Sequence, residues 1–93
     1  MKAVSIGDAL AGFFRSQGME KRLREADIVR LWREIAGETI SSRTEAQKVK
    51  DGILYVKVID AAWRNELTYL RMELRNKLNE KVGKNLLKDI RFN

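Results

Sequence analysis

The sequence predicts an α+β fold, one small domain of order α-α-β-β-α-β with helices packed on one face of a three-stranded sheet. Three observations carry this. Over residues 52–67, GILYVKVIDAAWRNEL, the hydrophobic period changes with no intervening loop. Leu54, Val56 and Val58 alternate as in a strand with one buried face, then Trp63, Leu67, Leu70, Leu74, Leu78 and Val82 recur at three and four residues as on an amphipathic helix. Just upstream, Asp51-Gly52 separates two strand-like runs, and past Gly83 an alternating run returns at residues 86–92.

The elements follow in order. Ser5-Ile6-Gly7-Asp8 has the form of a capping box, in which Ser5 caps and Asp8 reaches back to its N–H. The helix it opens runs to about Gln17, with Ile6, Leu10, Phe13 and Phe14 on one face and Gly18 as a left-handed terminator. A second helical stretch begins near Met19 and carries Leu23, Ile28, Leu31, Trp32 and Ile35. It ends at Gly37 or continues one turn to bury Ile40, and the sequence leaves both open. Residues 44–50 and 53–59 are strands joined by Asp51-Gly52, a two-residue type I′ hairpin signal because that turn needs positive φ at both positions. A two-residue turn pairs Lys50 with Ile53, Lys48 with Tyr55 and Ala46 with Lys57.

The long helix occupies residues 61–82, with Asp60 as N-cap and Gly83 as C-cap. Residues 86–92 form the third strand, with Lys88, Ile90 and Phe92 on one side and Leu87, Asp89 and Arg91 on the other. Trp32 and Trp63 lie on apolar helix stripes and belong to the core.

Ninety-three residues make one domain, residues 1–93, near the lower size at which a core suffices without staples. The sequence has no cysteine and no histidine, which removes disulfides, thiolate metal sites and the commonest general base together. There is no Gly-rich phosphate loop, Ser41-Ser42 has no base to activate it, and the scattered carboxylates sit near Lys and Arg. The expectation is a protein that is not an enzyme and uses no cofactor or metal. No signal peptide opens the chain and no window has the apolar length to span a bilayer, so the expected location is cytoplasmic, away from membranes. Nineteen Lys and Arg against 13 Asp and Glu give a net charge of +6. The pI near 9.9 is an electrostatic footprint shared by nucleic-acid-binding domains and by domains that bind acidic proteins.

Two surfaces are candidates for binding. On the outer sheet face, Lys48, Lys50, Tyr55 and Lys57, joined by Arg91, surround one aromatic ring with cations, an arrangement suited to neutralising phosphates and stacking a base on Tyr55. The alternative is a solvated face whose lysines discourage edge pairing. Along the long helix, Arg64, Thr68, Arg71 and Arg75 form a second basic stripe, with Glu66, Glu73 and Glu80 in a different sector. Its alternative is a solvent-facing helix with local ion pairs such as Glu73 with Lys77.

Three segments carry a family resemblance. Trp32-Arg33-Glu34-Ile35-Ala36-Gly37 is similar to a Trp-x-x-Ile-x-Gly motif. Gly52-Ile53-Leu54-Tyr55-Val56 followed by Trp63-Arg64-Asn65-Glu66-Leu67 is similar to a Gly-x-Leu-x-Val strand and a Trp-x-x-Glu-Leu helix start. Leu78-Asn79, Gly83 and Ile90-Arg91-Phe92 match closing Leu-Asn, Gly and Ile-x-Phe positions. In this order and spacing, over nearly the whole chain, the sequence resembles the DciA-like proteins of bacteria.

The resemblance implies a KH-like domain that associates with the replicative DNA helicase, assists its loading and contacts single-stranded or tailed DNA, with no small-molecule substrate. Many such proteins carry a basic extension beyond this domain, whereas this sequence stops one residue after Phe92; if DNA affinity resides mainly in such an extension, the expectation is weak DNA binding or none. No Gly-x-x-Gly occurs, so the RNA clamp of true KH modules is not expected. Two other readings stay open: an adaptor that binds protein without nucleic acid, and an RNA-binding module of translation or ribosome maturation.

Overall fold

The computed structural model describes residues 20–93. The expected first helix, its capping box at residues 5–8 and the Gly18 terminator lie outside the described residues.

Helix α1, Glu20–Ala36, buries Ile28 and Trp32, which are four residues apart and so lie one above the other on one face. Leu31 and Ile35 pack at the margin of that face. Leu23 leaves the expected stripe and is 63% exposed. Gly37, at φ +84°, ends α1, and a separate turn, α2 at Glu38–Ser41, follows at once. Both sequence alternatives are thus combined. The left-handed glycine breaks the axis, and the new turn brings Ile40 against the core.

Strands β1, Thr44–Lys50, and β2, Ile53–Val58, pair antiparallel across a turn in which Asp51 and Gly52 have φ of +53° and +79°. That is the expected type I′ geometry. Lys50 faces Ile53 and Lys48 faces Tyr55, as the turn requires. The third expected pair is corrected: Ala46 faces Val56, and Lys57 faces Glu45, because a bulge intervenes between Ala46 and Lys48. Ala46 and Val49 both pack against the core although they are three residues apart. Strict alternation cannot bury both, and one extra residue, Gln47, restores the phase.

Helix α3, Ala61–Val82, has the expected bounds. The Asp60 carboxylate accepts the Trp63 N–H at 2.8 Å, and Gly83, at φ +76°, ends the helix by donating to the Asn79 and Glu80 carbonyls. Leu67, Leu74 and Leu78 are buried, with Trp63, Leu70 and Val82 packed beside them.

Strand β3, Asp89–Phe92, runs parallel to β2, so the sheet is mixed, in order β1-β2-β3 with β2 in the middle. β3 is shorter than the expected 86–92, and Leu87 is buried, not turned outward. The cause is Asn79 on α3. Its amide nitrogen donates to the Leu87 carbonyl at 2.9 Å, and its amide oxygen accepts the Leu87 N–H at 2.8 Å. A side chain thereby replaces the ladder for one residue and tucks Leu87 under the sheet. Ile90 and Phe92 point inward as expected, and the Phe92 ring lies 6.2 Å from that of Trp32. α1 packs on β1, α3 on β2 and β3, and the two helices on each other, covering the face formed by Leu54, Val56 and Val58. Among the described residues no helix covers the opposite face, which carries polar side chains of all three strands.

Candidate nucleic-acid interface

The strand register assembles the outer face. Lys48 of β1 faces Tyr55 of β2, and Tyr55 faces Arg91 of β3, so the three form one row across the whole sheet. The Lys48 Nζ stands 5.4 Å and the Arg91 Cζ 5.7 Å from the centre of the Tyr55 ring, both within cation–π range. Sequence spacing placed cations around this ring. The structure adds that two of them rest on it, from strands on either side.

The neighbouring rows are less uniform. Lys50, Ile53 and Asp89 form one, so the β3 end of that row is acidic. Lys57 is exposed, and its partner across the strand is Glu45, which lowers the local positive potential.

The helix stripe divides. Arg64 is exposed. Arg71 turns toward β3, with its Nε 3.1 Å from an Asp89 carboxylate oxygen, and both side chains are 42% exposed. A pair so open to solvent contributes about 0–1 kcal/mol. Arg75 donates from Nη1 to the Lys88 carbonyl at 3.2 Å and from Nη2 to the Asn76 side-chain oxygen at 2.7 Å. Helical periodicity puts these arginines on one side of α3, but only the docking of α3 against β3 decides that two of them reach the strand.

Three residues beside these surfaces were given no role by the sequence. Lys88 lays its aliphatic stem over Gly52, where an added Cβ would stand 3.0 Å from the Lys88 Cγ. Asp89 holds Arg71 and also accepts the Ile90 N–H at 2.8 Å. Arg43 places its guanidinium 4.8 Å from the centre of the Trp63 ring, so this tryptophan carries a cation on a partly open face as well as packing on the core. Its position between the short turn and the hairpin was the one available signal. Trp32 is a core residue as expected, 2% exposed, with its indole N–H donated to the Thr44 hydroxyl at 2.9 Å. Among the described residues no group of three His, Cys, Asp or Glu side chains could hold a metal ion, and no helix is long and apolar enough to cross a membrane.

Fold and surface together define a small α+β domain with a mixed three-stranded sheet, one face apolar and covered, the other basic around a single tyrosine. The chain belongs to the DciA family: the family model described as "Dna[CI] antecedent, DciA" matches residues 5–92. That family is linked to replicative helicase loading and is not a known enzyme family. Among curated proteins, the chain is similar to a UPF0232 protein of Corynebacterium glutamicum, 26% identical over 90 residues, covering 97% of this chain and 51% of the relative. It is similar to UPF0232 proteins of Rhodococcus jostii, 26% identical over 78 residues, and Mycolicibacterium smegmatis, 24% identical over 78 residues. Each of those alignments covers 84% of this chain, and 42% and 40% of the two relatives respectively. The chain thus spans about half the length of the curated relatives it matches, or less.

Proposed function

We propose that this protein is a non-enzymatic accessory of DNA replication in the bacterial cytoplasm, which binds the replicative helicase, assists its loading and touches single-stranded or tailed DNA through phosphate contacts. Family membership supports the helicase part. The observation that carries the DNA part is the Lys48–Tyr55–Arg91 row, two cations resting on one aromatic ring in the middle of a sheet face that no described helix covers. Cations parked on a ring are poised for phosphates, and the ring they vacate is a stacking surface of the kind single-strand binders use. Phosphate contacts carry no sequence information, so the binding is nonspecific. The KH-like relation enters this reading for the fold alone, since α3 runs unbroken and no Gly-x-x-Gly clamp occurs.

The test is a light-scattering titration with the host's replicative helicase, with and without single-stranded DNA. A defined complex strengthened by DNA is the expected result, and no complex in either condition well above micromolar concentration overturns the reading. With about five phosphates neutralised, log K for single-stranded DNA falls against log salt with a slope of roughly −3 to −4. A flat dependence removes the electrostatic mechanism, and a helicase complex indifferent to DNA favours the adaptor reading.

A further inference from the structure

The two basic surfaces meet at one place, the edge of β3 that no described strand pairs. The Asn93 N–H donates to the Val56 carbonyl, and the Asn93 carbonyl accepts the Val58 N–H, both at 2.8 Å. Asn93 therefore faces β2 with both backbone groups, and at period two those of Ile90 and Phe92 point away from the sheet. The Ile90 N–H is not left open. The carboxylate of its own neighbour, Asp89, folds over the edge and accepts it at 2.8 Å. The same oxygen lies 3.1 Å from Arg71 Nε on α3, and one turn further along, Arg75 is bonded to the Lys88 carbonyl. Asp89 thus ties the strand edge to the helix stripe. Arg91, two residues on, begins the row that crosses the sheet through Tyr55 to Lys48.

We propose that the sheet face and the α3 stripe form one continuous track for single-stranded DNA across the β3 edge, and that Asp89 restrains it by holding Arg71 from the phosphates. This rests on the DNA-contact part of the function proposed above. The dimensions suit one strand. From β1 to β3 is two strand spacings, about 10 Å. From Arg64 to Arg75 along the helix is about 16 Å at roughly 1.5 Å per residue. A strand within the range of about 4–16 nucleotides that one small domain covers can run the whole way. On that path it meets Lys48 and Arg91, then Arg75, Arg71 and Arg64 in turn along the helix, and midway it passes a carboxylate. That carboxylate repels the strand and competes with it for Arg71. Asparagine at this position keeps an oxygen for the Ile90 N–H and removes only the charge.

The experiment is fluorescence anisotropy of a labelled oligothymidine of about 12 nucleotides, at low and moderate salt. Asp89→Asn is compared with Glu80→Gln, which makes the same change in net charge at an exposed site in the opposite sector of α3. The expected result is binding about three- to five-fold tighter for Asp89→Asn, less than about two-fold for Glu80→Gln. The slope of log K against log salt steepens by about 0.7 for Asp89→Asn, the increment of one more phosphate on a single strand. Lys48→Gln on the sheet and Arg64→Gln on the helix each weaken binding of the same oligonucleotide. Equal effects of Asp89→Asn and Glu80→Gln, or an Arg64→Gln protein that binds as tightly as wild type, overturn the continuous track while the wild-type salt slope still supports sheet-face binding. A wild-type protein that does not bind the strand at low salt overturns both readings.

Discussion

Removing the Asn79 side chain is the sharpest test of how the sheet edge is positioned. Asn79 is 7% exposed on α3, and its amide makes a two-point bond with the backbone of Leu87, itself 2% exposed. Asn79→Ala leaves a buried N–H and a buried C=O without partners. Each costs about 1–3 kcal/mol when water cannot replace the lost bond, so the expected loss is about 2–6 kcal/mol. That is a large share of the roughly 5–15 kcal/mol that holds a typical domain together. At about 4–8 °C per kcal/mol for a domain of this size, the melting midpoint falls by about 10 °C or more.

Asn79→Asp separates the two bonds. It keeps the acceptor for the Leu87 N–H but sets a carboxylate against the Leu87 carbonyl, in a buried place that raises the folded-state pKa of the new acid. A raised folded pKa means that the folded state binds more protons than the unfolded state, so the deficit relative to wild type at the same pH shrinks as pH falls. Urea titrations followed by tryptophan emission, at pH 7 and again near the ordinary carboxylate pKa of about 4, read both effects. An Asn79→Ala loss below about 1 kcal/mol, or an Asn79→Asp deficit that grows on acidification, refutes the account of Asn79 as the clamp that sets the start of β3.

Two further changes probe the hairpin that carries the basic face. Gly52→Ala, at φ +79° with its new Cβ 3.0 Å from Lys88 Cγ, is expected to lose about 1–2 kcal/mol in chemical denaturation. Lys88→Ala in the same chain does not restore it, because the backbone conformation and not the lysine stem carries the cost. Deleting Gln47 closes the bulge and shifts Thr44 and Ala46 by one position, which turns Thr44 away from the Trp32 indole N–H. The expected outcome is a loss above about 3 kcal/mol with a red-shifted tryptophan emission. A deletion variant as stable as wild type would remove the bulge from the account of the core.

Several features were legible because their cause lies within a few residues. Asp51-Gly52 specifies a turn through its own φ angles, and Asp60 and Gly83 bound α3 through bonds to Trp63, Asn79 and Glu80, all within one helical turn. The alternation of Leu54, Val56 and Val58 reads directly as one buried face. The bulge was readable in principle, since Ala46 and Val49 are out of phase with any unbroken strand, but nothing local says that both must be inside. Leu86 and Leu87 look like the start of an alternating strand, and the competing partner, the Asn79 amide, is eight residues back on another element.

The candidate surface divides along the same line. Charge, the central tyrosine and the arginine stripe follow from residue identity and from periods of two and 3.6, which need only the chain's own geometry. Which cations share the Tyr55 ring depends on three strands adopting one register, and whether Arg71 and Arg75 face water or β3 depends on how α3 docks. Those contacts join residues far apart in sequence or on separate elements, and their partners are selected by packing of the apolar core beneath them. A periodicity names the side of an element that a residue occupies, and only the assembled core brings Lys48, Tyr55 and Arg91 into one row and sets Asp89 between that row and the helix.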